Sequence, residues 1–251
     1  MSTSDCCAKI PPVHSDYQAK GQKDVTVGGL KCYVVGPESA STVLIGVYDI
    51  FGYAPQTYQG ADILSETLGA RVLLPDLFRG DYWPHDKFPP SGDDGKKLGE
   101  YIGNVCAPPK TSQEVVALAK ELASSSSVKG IGLYGYCIGA KITGLASGDS
   151  SVTSHKVKAV VNVHPAGIDP DDAKKLQVPI LWAPTKDEDK KVSDKFYANV
   201  ESSSVGKQSV KHQYEAFHGF ASARADLKDP TNLKDYEDFY SRAAGFFKAL
   251  L

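Results

Sequence analysis

The segment around Cys137 restricts the possible folds of this chain more than any other part of the sequence. An apolar run, Gly130–Tyr134, leads into Gly135-Tyr136-Cys137-Ile138-Gly139, and a helical pattern starts at Ala140. Glycine on either side of a sharply turned residue removes side chains that would collide with it. The segment therefore predicts a nucleophile elbow that carries cysteine where serine is commoner. The alternative is a tight turn around a buried and inert cysteine.

Short apolar, β-branched runs alternate with amphipathic stretches, which is typical of a mostly parallel sheet with helices on both faces. The strand candidates are Thr42–Tyr48, Arg71–Pro75, Gly130–Tyr134, Ala159–Val163, Pro179–Ala183 and Val210–Tyr214. The helix candidates are Tyr58–Leu68, Ser112–Ala123, Ala140–Ser147, Ser193–Ser202 and Leu233–Leu250. Asp24–Val35 predicts an antiparallel edge hairpin, and Asp81–Gly95 predicts an irregular excursion that either covers a pocket or is a surface connection. Together with the elbow, the pattern predicts an α/β-hydrolase fold, with residues 1–251 as one domain.

Charge and cysteine usage exclude several classes of partner. The formal net charge is −2 with both signs interspersed, which argues against nucleic acid or an anionic membrane as the main partner. No apolar run approaches the roughly 20 residues that span a bilayer, and the polar start of the chain lacks a secretory signal, so we expect a cytoplasmic protein. The five cysteines, including adjacent Cys6 and Cys7, lack metal-ligand spacing and predict free thiols without a metal site.

Candidate partners of the nucleophile follow Cys137 in the order that α/β-hydrolases use, which is nucleophile, acid, histidine. His218 comes directly after one predicted strand and is the candidate base. Asp187, Glu188 and Asp189 all come just after another strand, and any one of them has a position suitable for the acid. We prefer Asp189, with Glu188 as the next candidate.

Four motifs occur in a defined order along most of the chain. They are Asp49-Ile50-Phe51-Gly52, Leu74-Pro75-Asp76-Leu77-Phe78-Arg79-Gly80-Asp81, Gly135-Tyr136-Cys137-Ile138-Gly139-Ala140-Lys141 and His218-Gly219-Phe220-Ala221. Together they resemble the dienelactone hydrolase (carboxymethylenebutenolidase) family, particularly its fungal-type members. The resemblance implies a Cys–His–Asp triad and an oxyanion hole. The hole would use the backbone N–H groups of Ile138 and of a residue near Ile50.

The resemblance also implies residues that meet the substrate. Asp49 stands where bacterial members have a glutamate that holds the resting thiol, and its side chain is one methylene shorter. Family substrates carry a carboxylate that meets arginines, for which Arg79 and Arg224 are the candidates, although Arg79 equally suits a structural salt bridge. The remaining candidates are Tyr136 and His164, and a packing role for His164 is equally open.

These residues predict a hydrolase of esters or lactones that forms a thioester on Cys137. A thiolate leaves a tetrahedral intermediate easily, so cysteine suits substrates with good leaving groups, such as enol lactones. The chemistry needs no cofactor, and the expected partner is a small-molecule ester or lactone bound by a monomer or homodimer. Two alternatives stay open: acyl transfer or isomerisation on the same elbow, and a redox-responsive binding protein with Cys137 as sensor thiol.

Overall fold

Eight strands form one sheet in residues 12–251, the part of the chain that the computed structural model describes. The strands are β1 (Gln22–Val27), β2 (Leu30–Val35), β3 (Thr42–Val47), β4 (Arg71–Pro75), β5 (Gly130–Tyr136), β6 (Val157–Val163), β7 (Ile180–Ala183) and β8 (Val210–Lys211). Their order across the sheet is β1-β2-β4-β3-β5-β6-β7-β8. The pairs β1–β2 and β2–β4 are antiparallel and the other neighbours are parallel. The predicted mostly parallel sheet with an edge hairpin is therefore confirmed.

The predicted helices are all present, and each starts a few residues earlier than the apolar pattern indicates. The helices are α1 (Pro55–Leu68), α2 (Asp94–Tyr101), α3 (Pro108–Ala123), α4 (Ile138–Ser147), α5 (Lys190–Glu201) and α6 (Pro230–Leu250). Proline opens α1, α3 and α6, because its fixed φ suits the first helical turn and its missing N–H costs nothing there. The apolar period detects only the buried face of a helix, so it misses these starts.

Helix α2 was not predicted, and it begins at the end of the excursion Asp81–Gly95. Only Leu98 and Tyr101 of α2 are buried, which leaves too few apolar positions to produce a helical period. After α2 the chain continues as a π-helical turn over Ile102–Cys106. The excursion itself is irregular as expected, apart from one 3-10 turn over His85–Lys87.

Helices cover both faces of the sheet, as the fold class requires. Helices α1 and α6 bury Leu64, Tyr236 and Phe247 in one apolar cluster with Tyr134 of β5. Helices α3, α4 and α5 contribute to a second cluster, which includes Leu133 of the same strand. Alternate side chains of β5 therefore belong to opposite cores, because successive residues of a strand face opposite sides.

No helix in residues 12–251 combines the length and the apolar character that crossing a membrane requires. The same residues contain no group of three or more His, Cys, Asp or Glu side chains arranged to hold a metal ion. Cys32, Cys106 and Cys137 are free and buried, whereas Cys6 and Cys7 lie outside the described residues.

Candidate active site

Cys137 occupies the turn between β5 and α4 with the strained backbone that the motif predicts. Its φ of 55° and ψ of −118° lie outside the regions that residues other than glycine prefer. A Cβ on Gly135 would lie 2.3 Å from the Gly139 carbonyl oxygen, and one on Gly139 would lie 2.2 Å from that of Val47. Both glycines are therefore required for the turn, and the strand–turn–helix geometry of a nucleophile elbow is present.

The two residues predicted to donate to an oxyanion, Ile138 and Ile50, lie in the segments that follow the neighbouring strands β5 and β3. Ile138 is the first residue of α4. The N–H groups in the first turn of a helix have no acceptor inside the helix, and they lie at the positive end of its dipole. Ile50 lies in the turn 49–52 that follows β3, closed by a bond from Gly52 N to the Asp49 carbonyl (3.2 Å). Strands β3 and β5 are parallel neighbours, with Val47 paired to Gly135, so both donors come from adjacent strand ends. This arrangement is suited to holding a negatively charged oxygen.

His218 and Glu188 form a buried pair at the ends of β8 and β7. The His218 Nδ1 atom lies 2.6 Å from Glu188 Oε1, and the two side chains are 1% and 2% exposed. Thr185 supports the carboxylate, because its hydroxyl donates to Oε1 (3.0 Å) and its backbone N–H donates to Oε2. Asp187 holds the backbone of the histidine by accepting a bond from His218 N at 2.9 Å. Glu188 thus holds the ring of His218 and Asp187 holds its main chain, so the position of the imidazole is fixed.

Asp189 has a different role from the one preferred from sequence. It caps α5, accepting bonds from the N–H groups of Lys191 (2.8 Å) and Val192 (3.1 Å). A carboxylate directly before a helix satisfies donors that have no partner inside it, and this turns the Asp189 side chain toward α5. The structure therefore brings Glu188, and not the preferred Asp189, to the imidazole.

Asp49 ties the turn 49–52 to the loop behind the histidine. Its Oδ1 accepts a bond from Phe51 N (2.9 Å), while its Oδ2 accepts bonds from Ser222 Oγ (2.6 Å) and Ala223 N (3.3 Å). The side chain is nearly fully buried. Both carboxylate oxygens are therefore engaged in holding two loops together, which differs from the substrate contact expected of Asp49.

The two candidate arginines lie in very different surroundings. The Arg79 side chain is 53% exposed and pairs with Glu114 of α3 at 2.9 Å, so it has the structural role left open above. Arg224 is buried at 2% exposure, and its guanidinium lies 4.3 Å from the ring centre of Phe88 and 5.4 Å from that of Phe51. Its Nη1 donates to the His218 carbonyl (3.1 Å), and its buried Nε has no partner within residues 12–251. Only Arg224 is thus adjacent to the candidate base.

His164 and Tyr136 lie next to each other, with stacked rings whose centres are 5.9 Å apart. His164 is fully buried, with its ring centre 4.9 Å from that of His218, and neither ring nitrogen has a partner in the described structure. Burial, with His218 and Arg224 nearby, lowers the pKa of His164 well below 6.5, so its ring is neutral at physiological pH. The Tyr136 hydroxyl pairs with that of Tyr240 on α6 (2.6 Å), and its side chain belongs to the apolar cluster that α1 and α6 form on the sheet. Tyr136 therefore has a packing role in this core.

The excursion supplies contacts that the sequence did not reveal. Its Phe88 packs on Phe51 with ring centres 5.3 Å apart and lies over Arg224. Trp83 N donates to the Ile50 carbonyl at 2.9 Å. Residues 81–95 therefore cover the turn 49–52. The aromatic residues in a Pro- and Gly-rich stretch were the only signal for such a cover.

Comparison with known proteins identifies the family and the fold of this chain. The sequence model of the dienelactone hydrolase family matches residues 30–251. An AIM2 family protein of Schizosaccharomyces pombe is 32% identical over 95% of this chain and 94% of its own length. A carboxymethylenebutenolidase homologue of Xenopus tropicalis is 34% identical over 51% of this chain and 50% of its own. The solved dienelactone hydrolase of Anabaena variabilis superposes with a TM-score of 0.62 at 16% identity, over 94% of this chain and 100% of that one, which shows a shared fold.

Proposed function

The chain belongs to the dienelactone hydrolase family and is a carboxylic ester hydrolase, and we propose that it cleaves esters or lactones through a Cys137–His218–Glu188 triad. The observation that carries this proposal is the 2.6 Å contact between His218 Nδ1 and Glu188 Oε1 in a buried setting. A carboxylate at Nδ1 fixes the tautomer of the imidazole and stabilises the imidazolium, so that Nε2 exchanges a proton with the nucleophile.

The proposed first half-reaction forms a thioester. The Cys137 thiolate attacks the substrate carbonyl carbon, a sulfur–carbon bond forms, and the carbonyl π electrons move to the oxygen. The N–H groups of Ile138 and Ile50 bind that oxyanion, and such a donor contributes about 3–4 kcal/mol in other enzymes. The carbon–oxygen bond to the leaving group then breaks, and the departing alkoxide or enolate takes a proton from the His218 imidazolium, which becomes a neutral imidazole.

The proposed second half-reaction regenerates the thiolate. His218 removes a proton from a water molecule, whose oxygen attacks the thioester carbon. The second oxyanion collapses, the sulfur–carbon bond breaks, and the carboxylic acid product is released. Because a thiolate is a good leaving group, this collapse needs no further proton donor.

We also propose that preferred substrates carry a carboxylate that pairs with Arg224. A buried guanidinium without an acidic partner is costly, and the rings of Phe51 and Phe88 compensate only in part. In the described part of the chain no carboxylate forms a salt bridge with this guanidinium, and its Nε lacks an acceptor. A substrate carboxylate would supply that acceptor beside the reacting carbonyl.

The experiment that tests the triad compares wild type with Cys137→Ala and His218→Ala on p-nitrophenyl acetate and on a dienelactone. We expect each variant to lose turnover by about a thousandfold or more, as removal of a nucleophile or base does elsewhere. Acid quenching during turnover should reveal acylated Cys137 by mass spectrometry. Full turnover by folded Cys137→Ala would refute the proposal.

The Arg224 proposal predicts a change in substrate preference. Arg224→Met should lower kcat/KM for a carboxylated dienelactone by about tenfold to a hundredfold, since a hydrogen bond to a charged group is worth about 1.5–3 kcal/mol. Turnover of uncharged p-nitrophenyl acetate should change far less, which also shows that the variant folds. Arg79→Met is the matched control, because its guanidinium pairs with Glu114. Equal losses on both substrates would contradict the assignment.

A further inference from the structure

The Ile50 carbonyl is held by two donors from the segment that follows β4. Trp83 N donates to it at 2.9 Å, and the hydroxyl of Tyr101, the last residue of α2, lies at 3.3 Å. The same hydroxyl lies closer, at 2.8 Å, to the Asp81 carbonyl, so its single hydrogen is shared between the two carbonyl oxygens. One phenol therefore connects the turn 49–52 to the start of the excursion that covers it.

The peptide unit between Ile50 and Phe51 is consequently bonded at both ends. Its N–H, on Phe51, donates to Asp49 Oδ1 at 2.9 Å, while its carbonyl, on Ile50, receives the bonds from Trp83 and Tyr101. A peptide unit is rigid and planar. Fixing it leaves the Ile50 N–H, one residue earlier, with little freedom to turn. The direction of the proposed oxyanion donor thus depends on these contacts.

The contacts of the Tyr101 ring hold its hydroxyl in position beside these carbonyls. The ring is largely buried, with its centre 5.5 Å from Trp83 and 6.3 Å from Phe78 in edge-on contacts. Without the hydroxyl, the Ile50 carbonyl would keep only the Trp83 N–H, and the Asp81 carbonyl would lose the donor that lies 2.8 Å from it. Losing these bonds is unfavourable, so the turn and the excursion would shift relative to each other.

We propose that Tyr101 is a positioning residue for the oxyanion hole. Its hydroxyl fixes the carbonyls of Ile50 and Asp81 and thereby aims the Ile50 N–H at the oxygen of the tetrahedral intermediate. This inference rests on the proposed function of Cys137 and Ile50. Tyr101 itself touches neither the substrate nor the reacting atoms.

The first test compares Tyr101→Phe with Tyr197→Phe on p-nitrophenyl acetate. Tyr197 is the matched control, since its hydroxyl also donates to a backbone carbonyl, that of Ser209 at 3.1 Å, but on α5. We expect Tyr101→Phe to lower kcat about tenfold with KM within about twofold, because a misaimed donor weakens transition-state binding only. Tyr197→Phe should leave both unchanged. Unchanged kcat in Tyr101→Phe would overturn the proposal.

A second test uses two reactions of the same thiol. Iodoacetamide alkylates Cys137 by displacing iodide from an sp3 carbon and creates no oxyanion. When the thiolate adds to the carbonyl carbon of an aldehyde inhibitor, by contrast, an oxyanion does form. We expect Tyr101→Phe to weaken aldehyde inhibition about tenfold while the alkylation rate stays within about twofold. Alkylation slowed as much as turnover would locate the defect in the thiolate or the fold and overturn the proposal. Failure of the triad itself would instead be seen as full turnover by Cys137→Ala.

Discussion

At the scale of single residues, Glu188 and Asp189 are consecutive acids after β7, and we expect their substitution to have different effects. Glu188→Gln keeps the shape of the side chain but removes the charge that stabilises the His218 imidazolium. We expect kcat/KM to fall by about a hundredfold to ten-thousandfold, as in comparable triads. Asp189→Ala should lower stability by about 1 kcal/mol through the lost helix cap, with kcat/KM nearly unchanged. Ester turnover and urea unfolding measure the two effects, and the opposite assignment of losses would make Asp189 the acid.

The sequence limited the acid to three positions but did not distinguish them. Strand β7 and the triad order located Asp187, Glu188 and Asp189 at the correct sheet edge. Which carboxylate reaches His218 depends on the direction of each side chain in an irregular loop, and on competition from the first N–H groups of α5. That competition excludes Asp189 as the partner of His218, because a capping bond is local and forms wherever a helix starts.

The described cysteines should differ in reactivity. Burial raises the pKa of Cys32 to about 11 and also raises that of Cys106, so both are protonated at neutral pH. Cys137 lies at the amino end of α4, in the elbow turn that the proposed mechanism places against the substrate carbonyl. Brief treatment with iodoacetamide at pH 7.5 should therefore modify Cys137 ahead of the other two, as peptide mass spectrometry would reveal. Faster labelling of Cys32 or Cys106 would contradict this.

At the scale of elements, the elbow should tolerate no side chain at its second glycine. Gly139→Ala places a Cβ against the Val47 carbonyl oxygen at 2.2 Å, so we expect a loss of about 2–4 kcal/mol in unfolding free energy. Gly245→Ala in α6 is the control, because its Cβ would meet nothing within 4 Å and alanine favours helices by about 1 kcal/mol. Urea unfolding of both variants measures the difference, and equal stabilities would disprove the steric argument.

The elements that the sequence predicts best are those specified by local patterns. The run Gly130–Tyr134, the two glycines and the following helix determine the elbow without help from the rest of the chain. Helix α2 is the opposite case, because its contribution to the fold depends on Tyr101 reaching carbonyls of two distant segments. A contact of that kind leaves no periodic trace in the sequence.

At the scale of the whole molecule, the candidate site is assembled by the order of the strands. The loops after β3, β5, β6, β7 and β8 supply Ile50, Cys137, His164, Glu188 and His218. A parallel sheet brings such loops to one edge, so the sequence predicted their common location. It did not predict that His164 would contact His218, since that depends on which strands are neighbours. The extent of the single domain and the monomer or homodimer state stay predictions.

The buried His164 should make the stability of the entire fold depend on pH. Its pKa in the folded protein is well below 6.5, first through burial and then through His218 and Arg224, while the unfolded chain has the ordinary value. Below pH 6.5 the unfolded state therefore binds more protons, and stability falls by up to about 1.4 kcal/mol per pH unit. Between pH 7.5 and 5.0 this amounts to at most about 2 kcal/mol.

The variant His164→Gln should lose this component of the acid sensitivity, whereas His14→Gln, whose imidazole is 89% exposed, should retain it. Urea unfolding of the three proteins at both pH values gives the comparison. Equal loss of stability in wild type and His164→Gln would mean that the imidazole of His164 is protonated as readily in the fold as in the unfolded chain.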